Sequence, residues 1–137
     1  MTSLRNGLID HRFEITDNDA FHSVCSKGFK GAVKTAVRKY VAEYDSFTKD
    51  PIDFSFVYEY SSLFGFSQGF AITDYCIYGD EGSTFMLNIS DLSRVKYDDD
   101  DNEIVFVPKK GLSYYIKVSP KKKDMAQELI DVINDYL

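Results

Sequence analysis

The apolar residues of this chain change their period twice. Across residues about 17–47 they recur in steps of three and four, across about 52–118 they alternate, and across about 120–137 the helical spacing returns. A side chain that alternates faces belongs to a strand, and one that returns every 3.6 residues belongs to a helix. The order therefore predicts a helical segment, a run of short antiparallel strands, and one closing helix.

The alternating block divides at its turn signals. Ile52, Phe54, Phe56, Tyr58 and Tyr60 point one way, while Asp53, Ser55, Val57 and Glu59 point the other. The stretch 61–69 reads as a turn, followed by strands at Phe70–Thr73 and Tyr75–Tyr78. Gly79-Asp80-Glu81-Gly82 is a turn, and Phe85, Leu87 and Ile89 alternate again. Ser93–Tyr97, Ile104–Val107 and the alternation Leu112, Tyr114, Ile116, Val118 complete seven short strands, the pattern of an antiparallel barrel or sandwich.

Both flanks carry helix signals. Thr16 with Asp19 resembles a capping box, and the stripe then runs through Phe21, Val24, Cys25, Phe29, Val33, Val37 and Val41 to Phe47. Gly28 and Gly31 leave open whether this is one helix or two. At the far end, Ser119 is a suitable N-cap and Pro120 a suitable first residue. Met125, Ala126, Leu129, Ile130, Ile133 and Leu137 form a stripe that must be covered, and the open end of the barrel is the nearest cover. The 137 residues make one domain: an N-terminal helical segment over 1–50, and a barrel with its helix over 51–137.

Strands and helix in this order resemble the pleckstrin-homology-like domains of bacteria. Gly69–Gly79, GFAITDYCIYG, is similar to their second and third strands. Leu87–Tyr97, LNISDLSRVKY, is similar to the strand and acidic turn that follow. The resemblance covers residues about 52–137 and departs at Cys76, where the family has Gly, so the turn at Asp74-Tyr75 must form without a residue free to take positive φ. It implies an α+β fold, a seven-stranded PH-like barrel capped by the C-terminal helix. It also implies a binding module for a lipid, peptide or protein partner rather than an enzyme. The phosphoinositide use of such barrels needs basic residues in the first loop, and Ser61–Gly69 has none, so a phosphoinositide is not expected.

Charge narrows the partner. The net charge is −6, and residues 51–107 hold 11 acidic against 2 basic groups. Such a body repels phosphate backbones, so nucleic acid is not expected. No apolar run is long enough for a membrane span. Residues 1–16 lack the apolar core of a signal peptide, so a cytoplasmic location is expected.

Sites for chemistry are sparse. His22-x-x-Cys25 would need two more metal ligands, and Cys25 or Cys76 would need a base and an orienting group. The run Asp98–Asp101 fails the calcium-loop template, having Glu103 where Gly is required and Lys109 where Glu is required. No catalytic residue, cofactor or metal is therefore expected. Lys121–Lys123 reads as a solvated cluster, and forms a second basic patch with Lys109-Lys110 only if the fold brings them together. Lys27, Lys30, Lys34 and Arg38 instead lie within an arc of about 80° opposite the apolar stripe. They are the candidate partner-binding residues. The leading expectation is a cytoplasmic module for a protein or peptide. The alternative is an acidic inhibitor or immunity-type protein that covers a basic partner such as a nuclease.

Overall fold

The structure is a computed structural model that describes residues 4–10, 20–24, 26–62, 65 and 67–137. The elements run α1 (Leu4–Asp10), β1 (Phe21–Ser23), α2 (Phe29–Ala36), β2 (Phe54–Ser61), β3 (Ser67–Thr73), β4 (Cys76–Asp80), β5 (Thr84–Asn88), β6 (Leu92–Asp98), β7 (Glu103–Pro108), β8 (Tyr114–Lys117) and α3 (Lys123–Tyr136). Strands β1 to β5 form one antiparallel sheet in sequence order, and β6 to β8 form a second.

The seven alternating stretches are all strands, but they do not close into one barrel. The ladder breaks between β8 and the first sheet, and side chains bridge the break. The Tyr115 N–H donates to Glu81 Oε2 at 2.7 Å, and the Lys117 N–H to Gln68 Oε1 at 2.8 Å. Gln68 Nε2 donates to the Glu81 carbonyl at 2.7 Å, and the Tyr58 hydroxyl to the Lys117 carbonyl at 2.8 Å. The backbone groups of an edge strand need partners, and here side chains supply them.

The other exposed edge is closed from the helix. Asn134 on α3 accepts the Val95 N–H at 2.9 Å and donates to the Val95 carbonyl at 2.8 Å. One amide thus takes the place of a neighbouring strand on β6. Ala126, Leu129, Ile130 and Ile133 of α3 sit in the core between the sheets, as the terminal stripe predicts. Ser119 and Pro120 open a 3₁₀ turn over Pro120–Lys122, and α3 proper starts at Lys123.

The N-terminal segment differs most from its expectation. Thr16–Asp19 and Cys25 lie outside the described residues. Phe21–Ser23, read as the first helical turn, is an eighth strand paired to β2 in the register Phe21↔Tyr58, His22↔Val57 and Ser23↔Phe56. It covers the free edge of β2, and tertiary pairing outweighs the local helical spacing. The helix begins at Phe29 and runs without a break into a π-helical turn over Val37–Val41, so it is one element. Tyr44 and Phe47 lie past its end, and Phe47 is 90% exposed. A helix that the alternation does not signal, α1, places Leu4 and Leu8 in the core beside α3.

A bulge in β2 corrects the face assignment there. Phe54 pairs with Thr73 but Phe56 with Ile72, so two residues on β2 oppose one on β3. Phe56 and Tyr58 enter the core between the sheets, whereas Phe54 joins Val57 on the outer face under α2. Ile52 and Leu112, expected inward, are 75% and 88% exposed in the flanking turns. At Asp74-Tyr75 no φ is positive. Thr73 Oγ1 accepts the N–H groups of Tyr75 and Cys76, at 3.2 and 3.0 Å, and so holds the turn without a glycine.

Candidate functional site

The outer face of the first sheet is covered by α2. Phe29, Ala32, Val33, Ala36, Tyr40 and Val41 pack on Phe54, Val57, Ala71 and Tyr78. Alanines at three of these positions let the helix lie close to the strands. The π turn widens the last coil, so the adjacent Tyr40 and Val41 are both buried.

The four candidate cations all stand exposed on the far side of this helix. The structure groups them unevenly. Lys30 and Lys34 line a hollow of about 240 Å³ together with Val33, Val37, Lys49 and Pro51. Lys27, before the helix, and Arg38, on the π turn, are not among its lining residues. Lys49 was not a candidate from sequence, because it belongs to no helical stripe. It arrives through the return loop, which Asp45 organises. Asp45 accepts the N–H groups of Phe47 and Thr48, at 2.9 and 3.2 Å, and the Thr48 hydroxyl at 2.6 Å. The Thr48 hydroxyl bond, then the Phe47 N–H, hold the Asp45 carboxyl below its ordinary range. Arg5 of α1 ties down the far end of the loop by donating to the carbonyls of Ile52 and Phe54, at 2.7 and 2.6 Å.

The hollow has an apolar floor and a cationic rim. Among the described residues no carboxylate forms an ion pair with Lys30, Lys34 or Lys49. In a chain with 22 acidic and 16 basic side chains, three cations around one depression, with no ion-pair partner among the described residues, are a concentrated local charge.

The remaining candidates separate. His22 is buried beneath Gly28, where an added Cβ would lie 3.3 Å from its ring. Its Nε2 is 3.4 Å from Glu59 Oε2 and has no hydrogen-bond partner. Cys76 donates its thiol to Asn88 Oδ1 at 3.2 Å, and burial pushes its pKa up, the reverse of what an attacking thiolate needs. Asp98, Asp101 and Glu103 bring carboxylate oxygens within 4.8 Å of one another at the β6–β7 turn. Asp98 is engaged there by the N–H groups of Asp100 and Asp101, at 2.9 and 3.4 Å, and Asn102 takes φ 54 to close the turn. Lys123 pairs with Asp99 and lies 5.5 Å from the centre of the Tyr97 ring. Lys109 and Lys110 sit past the opposite end of β7, so the two lysine runs do not join into one patch. A wider hollow, about 710 Å³, lies between the β3–β4 turn and the end of α3, with Tyr75 80% exposed on its wall. Its charged lining is one aspartate and one lysine, Asp74 and Lys109.

No helix among the described residues is long and apolar enough to cross a membrane. Comparison with protein-family models, with curated proteins and with solved structures returns no match.

Proposed function

We propose that this chain is a non-enzymatic binding module of PH-like layout whose partner is a protein or peptide presenting carboxylates around an apolar side chain. Two antiparallel sheets followed by a helix across one end of the core support the PH-like layout. The observation that carries the binding role is the hollow of Lys30, Lys34 and Lys49 over Val33, Val37 and Pro51. A volume of about 240 Å³ suits one side chain, not a fold-sized surface. The apolar floor takes that side chain, and the rim selects the sign of its neighbours. The net charge of −6 works against adsorption to an anionic membrane, where the whole body is repelled. A basic partner has weaker support, since the acidic hairpin spends Asp98 on its own turn and Asp99 on Lys123.

The test is a titration of ¹⁵N-labelled protein with the blocked peptide Glu-Glu-Leu-Glu-Glu. Shifts confined to residues 30–37 and 49, lost in the Lys30→Glu, Lys34→Glu, Lys49→Glu variant and weakened by salt, are expected. Shifts that the charge reversal leaves intact would sink the reading. So would binding of phosphatidylserine vesicles through the same lysines without binding of the peptide.

A further inference from the structure

At the other end of α2 the outer face of the sheet carries charge of the opposite sign. In the ladder Glu59 pairs with Gly69, and Gly69 pairs with Asp80. Directly paired residues share a face, so two carboxylates flank a glycine in one row across three strands. Adjacent strands are about 4.8 Å apart, which puts the Glu59 and Asp80 backbones roughly 10 Å from each other. Any side chain at position 69 would fill the space between them. None fits, because a Cβ there would lie 2.5 Å from the Tyr58 carbonyl oxygen.

Tyr40 supplies the wall. It hangs from the π turn, is 4% exposed, and lines the same cleft of about 110 Å³ as Glu59, Gly69 and Asp80. Its ring is packed under the helix, and its hydroxyl, which opens on the cleft, makes no hydrogen bond among the described residues. Burial, and after it the charges of Glu59 and Asp80, drive its pKa upward. Neither carboxylate has a lysine or arginine partner among the described residues. Glu59 faces the buried His22, and Asp80 accepts the Gly82 N–H at 2.9 Å. Two like charges in one row are unfavourable without a cation between them. The cleft is too small for a large ligand and has polar groups on three sides.

We infer that the cleft between Tyr40, Glu59, Gly69 and Asp80 is a binding site for an alkylammonium or guanidinium group, free or at the end of a lysine or arginine side chain. The carboxylates supply charge from either side, the glycine supplies depth, and the phenol oxygen at the cleft wall supplies a further acceptor. Lys39 borders the cleft and is exposed, so its own ammonium competes for the place. The site shares no lining residue with the lysine-rimmed hollow, and either can fail without the other.

The probes are n-butylammonium, methylguanidinium, Nα-acetyl-lysine methylamide and the peptide Gly-Gly-Lys-Gly-Gly, each titrated into ¹⁵N-labelled protein. The Gly69, Asp80 and Tyr40 amides are expected to shift together and to saturate. Glu59→Gln and Asp80→Asn should each weaken binding about tenfold or more, the loss of a charge-assisted hydrogen bond. Tyr40→Phe should weaken it less, and Lys39→Ala should strengthen it. The melting temperature of each variant separates lost binding from lost fold. Gly-Gly-Lys-Gly-Gly binding more tightly than butylammonium identifies a partner's side chain as the occupant, and equal binding identifies a free amine. Tetraethylammonium, too bulky for the cleft, should leave these amides unmoved. Equal shifts with tetraethylammonium or calcium, or shifts unchanged in Glu59→Gln and Asp80→Asn, overturn the assignment.

Discussion

The two faces of the five-stranded sheet are buried by different means. The inner face meets β6–β8, α1 and α3 through large rings. Phe21 lies 4.6 Å from Tyr58, Tyr58 lies 5.5 Å from Phe70, and Phe70 meets Phe106 edge-on at 5.0 Å. The outer face meets a single helix, with Phe29, Tyr40, Phe54 and Tyr78 set among Ala32, Ala36 and Ala71 in its apolar half and Glu59 and Asp80 beyond it. Interlocked rings specify one arrangement, whereas a face sealed by a single helix can leave charge and empty volume at that helix's margins. Both proposed sites lie on those margins.

The sharpest way to break this contrast is to truncate each face. Phe70→Ala, within the inner cluster, should cost about 3–5 kcal/mol in urea unfolding. Val57→Ala, under α2, should cost about 1.5–3 kcal/mol, the value of one buried valine. Equal losses would show that α2 is as integral to the core as α3. The edge closures come next. Asn134→Ala strands the N–H and the carbonyl of Val95 and should cost about 1–3 kcal/mol. Hydrogen exchange at Val95 should rise by more than at its ladder neighbours, and unchanged protection there would show that the asparagine is not what seals β6.

Much of the inner face was legible from alternation alone, since a face that packs on a core repeats every second residue. The terminal helix was legible for the same reason at its own period. What escaped has a common cause, which is that it depends on contacts distant in sequence. α1 offers only three apolar residues, Leu4, Leu8 and Ile9, too few to show a period. β1 is three residues long and becomes a strand only because β2 presents an edge. The bulge at Ser55 inverts the phase of the alternation, and its signature, the Ser55 hydroxyl donating to the Ile72 carbonyl at 3.2 Å, involves a residue on another strand. Closure failed as an expectation because alternation reports which face a residue takes, not whether the first and last strands meet. The candidate site divides the same way. Lys30 and Lys34 follow from helical spacing, Lys49 enters through a loop, and the row Glu59–Gly69–Asp80 exists only in the register of three strands.

The seam between the sheets gives a smaller effect. Glu81→Ala removes the acceptor of the Tyr115 N–H, at the rim of the molecule where water can replace it. A loss of about 0.5–1.5 kcal/mol is expected. Faster hydrogen exchange at Tyr115, with the Val95 amide unaffected, would show that the two edges are sealed independently. A concerted loss at both would mean that the sheets open as one unit.

Acid should distinguish the faces most gently. Asp45 joins the end of the helical cover to the sheet, since its Oδ2 accepts both the Thr48 hydroxyl and, at 3.4 Å, that of Tyr78. These bonds, the one from Thr48 foremost, depress its pKa, so the folded form holds the proton less tightly than the unfolded chain. The stabilisation is therefore complete above the unfolded aspartate value of about 3.9 and declines as the pH falls through the lower, folded value. Thr48→Ala removes the strongest of the bonds. The Asp45 carboxyl midpoint, followed by its ¹³C resonance, should rise in that variant, and the difference in melting temperature from the parent should shrink on acidification. The buried cluster on the other face is aliphatic and aromatic, so its resonances have no carboxylate of their own to follow. Acid should thus disturb Tyr78 before Phe106. The reverse order would mean that the outer cover is held by its apolar contacts alone, with no contribution from the aspartate loop.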